Sequence, residues 1–143
     1  MDAGEKAKLE ARRASGARWF VTVGLLSIVN SVFNAFGSHL AFVFGLGLTQ
    51  IFDALRTDPM FGKLTWFALV FSVGAVFAHL GRLARRGRSW AWVTGLVLYG
   101  VDGLLFVLAR QWLGLALHLF AGVGMVMGYR AHRALRTFET PAS

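Results

Sequence analysis

Long apolar runs alternate along this chain with short basic clusters. Four of the runs, at about 19–36, 64–81, 90–109 and 112–130, approach the roughly 20 residues that a helix needs to cross a ~30 Å hydrocarbon core. A fifth, at about 39–55, is shorter: Gly45 and Gly47 interrupt it, and it ends in Gln50 and Asp53. The pattern predicts an all-α integral membrane protein, a four-transmembrane-helix bundle with an extra short helix, re-entrant or interfacial, on the outer face. Residues 1–18 are expected as a basic cytoplasmic segment, either a surface helix or unstructured. The membrane domain follows over 19–133, and 134–143 form a cytoplasmic tail.

The basic residues set the orientation. With 39–55 left on the outer side, the inner segments carry Lys6, Lys8, Arg12, Arg13 and Arg18, then Arg82, Arg85, Arg86 and Arg88, then Arg130, Arg133 and Arg136. Only Arg56, Lys63 and Arg110 remain outside. Lys and Arg accumulate in cytoplasmic loops, so both termini are expected inside. A full crossing by 39–55 would move the 82–88 loop outside and erase the asymmetry. Irregular backbone survives at membrane depth only against protein or water, and Gly45 and Gly47 suit a turn of that kind. Trp19, Trp90, Trp92 and Trp112 fall at span ends, where amphipathic rings settle at the interface. Trp66 lies just inside its span.

Composition sharpens the picture in three places. Hydrophobic residues make up 56% of the chain and the mean hydropathy is +0.57, above the share usual in soluble domains. The net charge of +8 sits in short clusters between apolar runs, a pattern that faces anionic lipid headgroups on the cytoplasmic side and not nucleic acid. The absence of cysteine removes disulfides, thiolate metal sites, iron–sulfur clusters and cysteine nucleophiles. The excess of Arg over Lys, twelve to three, points to a GC-rich bacterial genome, so the expected location of the apolar runs is a bacterial inner membrane.

Candidate chemistry is confined to a few polar residues inside the apolar runs. Ser27, Asn30, Ser31 and Asn34 recur at helical spacing and share one face of the first span. That face avoids lipid by turning into the bundle, as glue between helices or as part of a site. Asp102, with Tyr99, lies on the third span, and His118 on the fourth between Gly114 and Gly122. Both lie roughly 12 Å along their helices from the turn at Arg110-Gln111, at ~1.5 Å per residue. An antiparallel hairpin therefore predicts an Asp102–His118 contact at one depth, with Asn30 nearby. An isolated charge there costs at least ~2.5–3.5 kcal/mol, which pairing would lower. Gln50 and Asp53 join the cluster only if 39–55 dips into the membrane. His39 and His132 are expected as exposed interfacial residues, and His79 as a structural residue beside Arg82. Gly124 and Gly128 form a GxxxG suited to close packing within or between chains.

No nucleophile elbow, HExxH, P-loop or dinucleotide fingerprint occurs. Three functions fit what remains. The first is a non-enzymatic accessory, assembly or scaffold component, with a membrane protein or a second copy as partner. The second is a small oligomeric transporter or proton-coupled permeation protein using Asp102 and His118. The third is a subunit binding haem or a quinone, although His118 lacks a second histidine at matching depth on a facing helix. No cofactor is predicted, and the sequence identifies no metal.

Overall fold

The computed structural model describes residues 2–36, 46–56 and 62–139, and within them every element is helical. The described residues form five helices: α1 (Ala3–Ala35), α2 (Gly47–Leu55), α3 (Lys63–Arg85), α4 (Ser89–Leu108) and α5 (Trp112–Glu139). All but α2 are long and apolar enough to cross a membrane. Residues 37–45, including His39 and Gly45, and 57–61 lie outside the described residues, so only the part of the fifth apolar run from Leu46 onward is described.

The long helices outrun the apolar runs that predicted them. Helix α1 begins at Ala3, where the Asp2 carboxylate accepts from the Glu5 N–H at 2.6 Å, and it passes through 18–19 without a break. Helix α5 likewise continues into the expected tail as far as Glu139. Hydropathy marks where a helix turns polar, but it does not mark where a helix stops: no proline occurs between 3 and 18 or between 131 and 139, and in the tail the first proline is Pro141, beyond Glu139.

Stops occur instead at two tight turns. Between α3 and α4, Gly87 (φ 80°) takes the left-handed position after the helix. Its N–H donates to the Ala84 carbonyl and that of Arg88 to the Leu83 carbonyl, the paired bonds that close a helix C-terminus. The turn between α4 and α5 repeats the scheme, with Arg110 and Gln111 donating to Val107 and Phe106. Here the left-handed residue is Arg110 (φ 54°), a conformation costing roughly 1–2 kcal/mol for a residue with a Cβ.

The four long helices form a ring in which α1 packs against α3 and α5, and α4 closes the circuit against the same two. Close approach relies on small residues, as usual for helix pairs without a hydrophobic driving force between them. Gly16 of α1 meets Gly128 of α5, and a Cβ on Gly24 would lie 2.7 Å from the Gly74 carbonyl oxygen of α3. The GxxxG of α5 is thus used inside the chain, with Trp19 lying over Gly124.

Two different fillings occupy the middle of the ring. At the end that carries the α3–α4 turn, aromatic rings reach across: Phe20 of α1 meets Trp92 of α4 edge-on at 5.7 Å and Phe77 of α3 at 6.4 Å. Trp92 is fully buried there, so it belongs to the core and not to the expected interfacial belt. Toward the other end of α1 the filling is α2, which touches α1, α3 and α4. The apolar residues Ala17, Phe20 and Val23 therefore give way along one face of α1 to Ser27, Asn30 and Ser31, all buried.

Candidate functional site

Helix α2 starts at mid-height in the bundle with no cap of its own. Its N-cap, Leu46, offers no side-chain hydrogen bond, yet the first amides of any helix need acceptors. Other helices supply them. The Asp102 carboxylate of α4 accepts from Gly47 N–H at 2.8 Å and from Leu48 N–H at 2.9 Å. Ser27 Oγ of α1 accepts from Leu46 N–H at 2.7 Å and passes its own proton to the Val23 carbonyl at 2.8 Å. Thr49 Oγ1 closes the turn on the Leu46 carbonyl at 2.8 Å. A carboxylate at a helix N-terminus also meets the positive end of the peptide dipoles, so Asp102 has a counter-charge made of backbone.

A second carboxylate holds the other end of α2. Asp53, 7% exposed, accepts from Ser31 Oγ of α1 at 3.0 Å and from Trp66 Nε1 of α3 at 2.8 Å. Arg56, just past the helix, lies over the Trp66 ring, 5.9 Å from its centroid. Between the two anchors α2 rises beside the last two turns of α4, and Gly47, Gln50, Ile51 and Ala54 face Leu105, Phe106 and Ala109 across a ~380 Å³ cavity. Gln50 is only partly buried there.

His118 belongs to a different set of contacts. Its ring lies flat on Tyr99, with centroids 3.7 Å apart and an 8° interplanar angle. Nε2 lies 2.8 Å from the Tyr99 carbonyl, and Tyr99 OH donates to the His118 carbonyl at 3.1 Å. A carbonyl oxygen only accepts, so Nε2 carries a proton in this arrangement. Nδ1 is buried, makes no hydrogen bond among the described residues, and lies 3.9 Å from Asp102 Oδ2. The expected Asp102–His118 contact is therefore loose. Depth matching places the two groups side by side, but Oδ2 points to the α2 amides and the imidazole to Tyr99.

The remaining polar residues divide clearly. Asn30 is buried on the same face as Ser27 and Ser31 but makes no hydrogen bond with Asp102 or His118 among the described residues. Asn34 is exposed near the end of α1 and lies outside the cluster, because the helix has by then passed beyond α2. His79 is exposed on α3. His132, expected to be exposed, is 1% exposed: it stacks on Trp92 at 6.2 Å, and its Nε2 lies 2.9 Å from Ser89 Oγ. Arg136 donates to the same oxygen at 2.9 Å, tying the start of α4 to α5.

The sequence singled out both carboxylates but missed what they bind. Three of their partners are an indole N–H and two backbone amides, and backbone amides carry no side-chain signature. The available hint was negative: Leu46-Gly47-Leu48 opens a helix in an apolar run without Ser, Thr, Asp or Asn at the start. Such a helix has to find its acceptors on a neighbour.

Among the described residues no cluster of His, Asp and Glu has the make-up of a metal site. Comparison with family models, with curated proteins and with solved structures finds no significant match to this chain.

Proposed function

We propose that this protein resides in a bacterial inner membrane as a non-catalytic accessory or scaffold component. Its four long helices would span the bilayer with both termini inside. In that frame α2 is a re-entrant half-helix that starts in the outer half of the membrane and rises toward the outer surface. One observation carries the reading: both buried carboxylates, Asp102 and Asp53, are engaged in holding α2 against α1, α3 and α4. Charges engaged in this way stabilise one arrangement of helices, as expected of a component that presents a fixed surface to a partner. The positive-inside distribution of Lys and Arg supports the orientation.

Proton-coupled permeation is the second reading, and a single feature favours it: the buried Nδ1 of His118, 3.9 Å from Asp102 Oδ2 and without a hydrogen bond among the described residues. A proton placed there would convert a loose pair into a tight one. Purified protein in liposomes enclosing a pH-sensitive dye separates the readings. The scaffold reading expects no proton flux from the wild type and a loss of thermal stability in Asp102→Asn. Flux that disappears in Asp102→Asn would overturn it in favour of permeation. Cross-linking in native membranes followed by mass spectrometry is the positive test, with one recurrent membrane partner expected.

A further inference from the structure

The contact between α4 and α5 leaves an open groove of about 790 Å³ along one flank of the bundle. Its walls are apolar: Leu96, Leu104 and Val107 on α4 face Leu115, Leu119 and Val126 on α5. Glycines make it deep. Gly100 has no atom within 4 Å of where its Cβ would stand, and behind Gly122 the buried Tyr99 ring lies 3.6 Å from the corresponding position. The groove has one charged end, where exposed Arg130 closes it. In the antiparallel hairpin Arg130 lies level with the first turn of α4, one residue beyond Tyr129, whose ring meets Trp92 at 6.2 Å.

We infer that this groove seats one acyl chain of an anionic phospholipid, whose phosphate is met by the Arg130 guanidinium. Two properties point to that occupant. Polarity runs one way, apolar for most of the length and cationic at a single end, which matches an amphiphile with one anionic head. From Leu115 to Arg130 the wall extends about 22 Å at ~1.5 Å per residue, enough for a chain that fills a ~15 Å leaflet, half of the ~30 Å core. The inference requires Arg130 to lie at a membrane surface, but it holds for either leaflet and for either reading of Asp102 and His118.

Native mass spectrometry of the intact chain in a mild detergent tests this, with phosphatidylglycerol and phosphatidylcholine of identical acyl chains added in turn. The wild type should retain one phospholipid and prefer phosphatidylglycerol about fivefold, the effect of roughly 1 kcal/mol for one basic residue at an anionic surface. Arg130→Gln should bind both lipids equally. Gly100→Phe starts from a position whose Cβ meets no atom within 4 Å and should lose both; Leu104→Trp, on the exposed rim, is a second blocking variant should the first fold poorly. Val76→Phe, on the exposed flank of α3, should bind like the wild type. The proposal is overturned if both blocking variants fold and retain lipid, if the wild type shows no headgroup preference, or if inorganic phosphate alone displaces the lipid. A wild-type dimer that Gly100→Phe dissociates would assign the groove to a second copy and overturn it equally. Because binding is scored in detergent, failure here leaves the scaffold reading to be judged by flux and cross-linking.

Discussion

Asp102 and Asp53 are the residues whose environment departs most from an ordinary carboxylate, because each is buried and each bonds to a different helix. Removing Asp102 strands two amides, Gly47 N–H and Leu48 N–H, in a water-poor interior. An unsatisfied buried donor costs about 1–3 kcal/mol, so Asp102→Ala is expected to lower stability in detergent by at least that amount. Asp102→Asn keeps one acceptor and should lose less. Hydrogen exchange at Gly47 and Leu48 should accelerate in both variants while that of α5 stays protected; unchanged exchange at α2 would remove Asp102 from its capping role. Trp66→Phe preserves most of the ring packing and deletes the N–H that Asp53 accepts. A loss of roughly 1–3 kcal/mol is expected, and the double variant with Asp53→Asn should cost less than the sum.

The same residues show what a sequence reading reaches at this scale. That Ser27, Asn30 and Ser31 face inward followed from spacing and from the cost of facing lipid. That Asn34 does not follow them depends on where α2 stops covering α1, a distance between helices that no local pattern encodes. The burial of His132 was missed for a related reason. A histidine among arginines near a chain end reads as solvated, and only the fold brings Trp92 and Ser89 to it.

At the scale of elements, glycines with similar local sequence differ sharply in what they do. Gly16 and Gly128 set the approach of α1 to α5, so Gly128→Ala would force two backbones apart. Overpacking of this kind costs about 1–3 kcal/mol, readable as a lower melting temperature. Gly100, with open space at its Cβ position, should behave oppositely: Gly100→Ala should be neutral, or should stabilise by up to about 1 kcal/mol through helix propensity. Equal effects at the two positions would contradict the packing described for α1 and α5. The α4–α5 turn offers a gain, since Arg110→Gly relieves a left-handed residue with a Cβ and is expected to stabilise by roughly 1 kcal/mol. Gly87 already occupies the corresponding position between α3 and α4.

For the molecule as a whole, the testable quantity is the orientation proposed from the basic residues. The chain contains no cysteine, so a single introduced thiol reports without background. In inside-out vesicles a membrane-impermeant maleimide should label Arg86→Cys and spare Gln111→Cys; intact cells or spheroplasts should give the reverse. The opposite pattern would invert the topology, and labelling of both positions in one preparation would argue against a spanning hairpin. Closing the ring places α1 diagonally across from α4, and α2 fills the gap between them on one side. The two ends of the bundle therefore differ in kind, one held by aromatic packing and the other by hydrogen bonds to carboxylates.

Sequence alone determined the number of long apolar helices, the short helix between the first two, and the residues whose polarity demands a partner. Each of these follows from a cost that is local: a polar group or a charge in an apolar run is expensive wherever the rest of the chain lies. Tertiary structure decided which partner each polar residue takes. Asp102 turned from the neighbouring histidine to the amides of the short helix α2, because two unsatisfied N–H groups at a positive helix end bind a carboxylate more strongly than an imidazole already bonded to Tyr99. Competition between acceptors is settled by distances across the fold, and those exist only once the helices have packed.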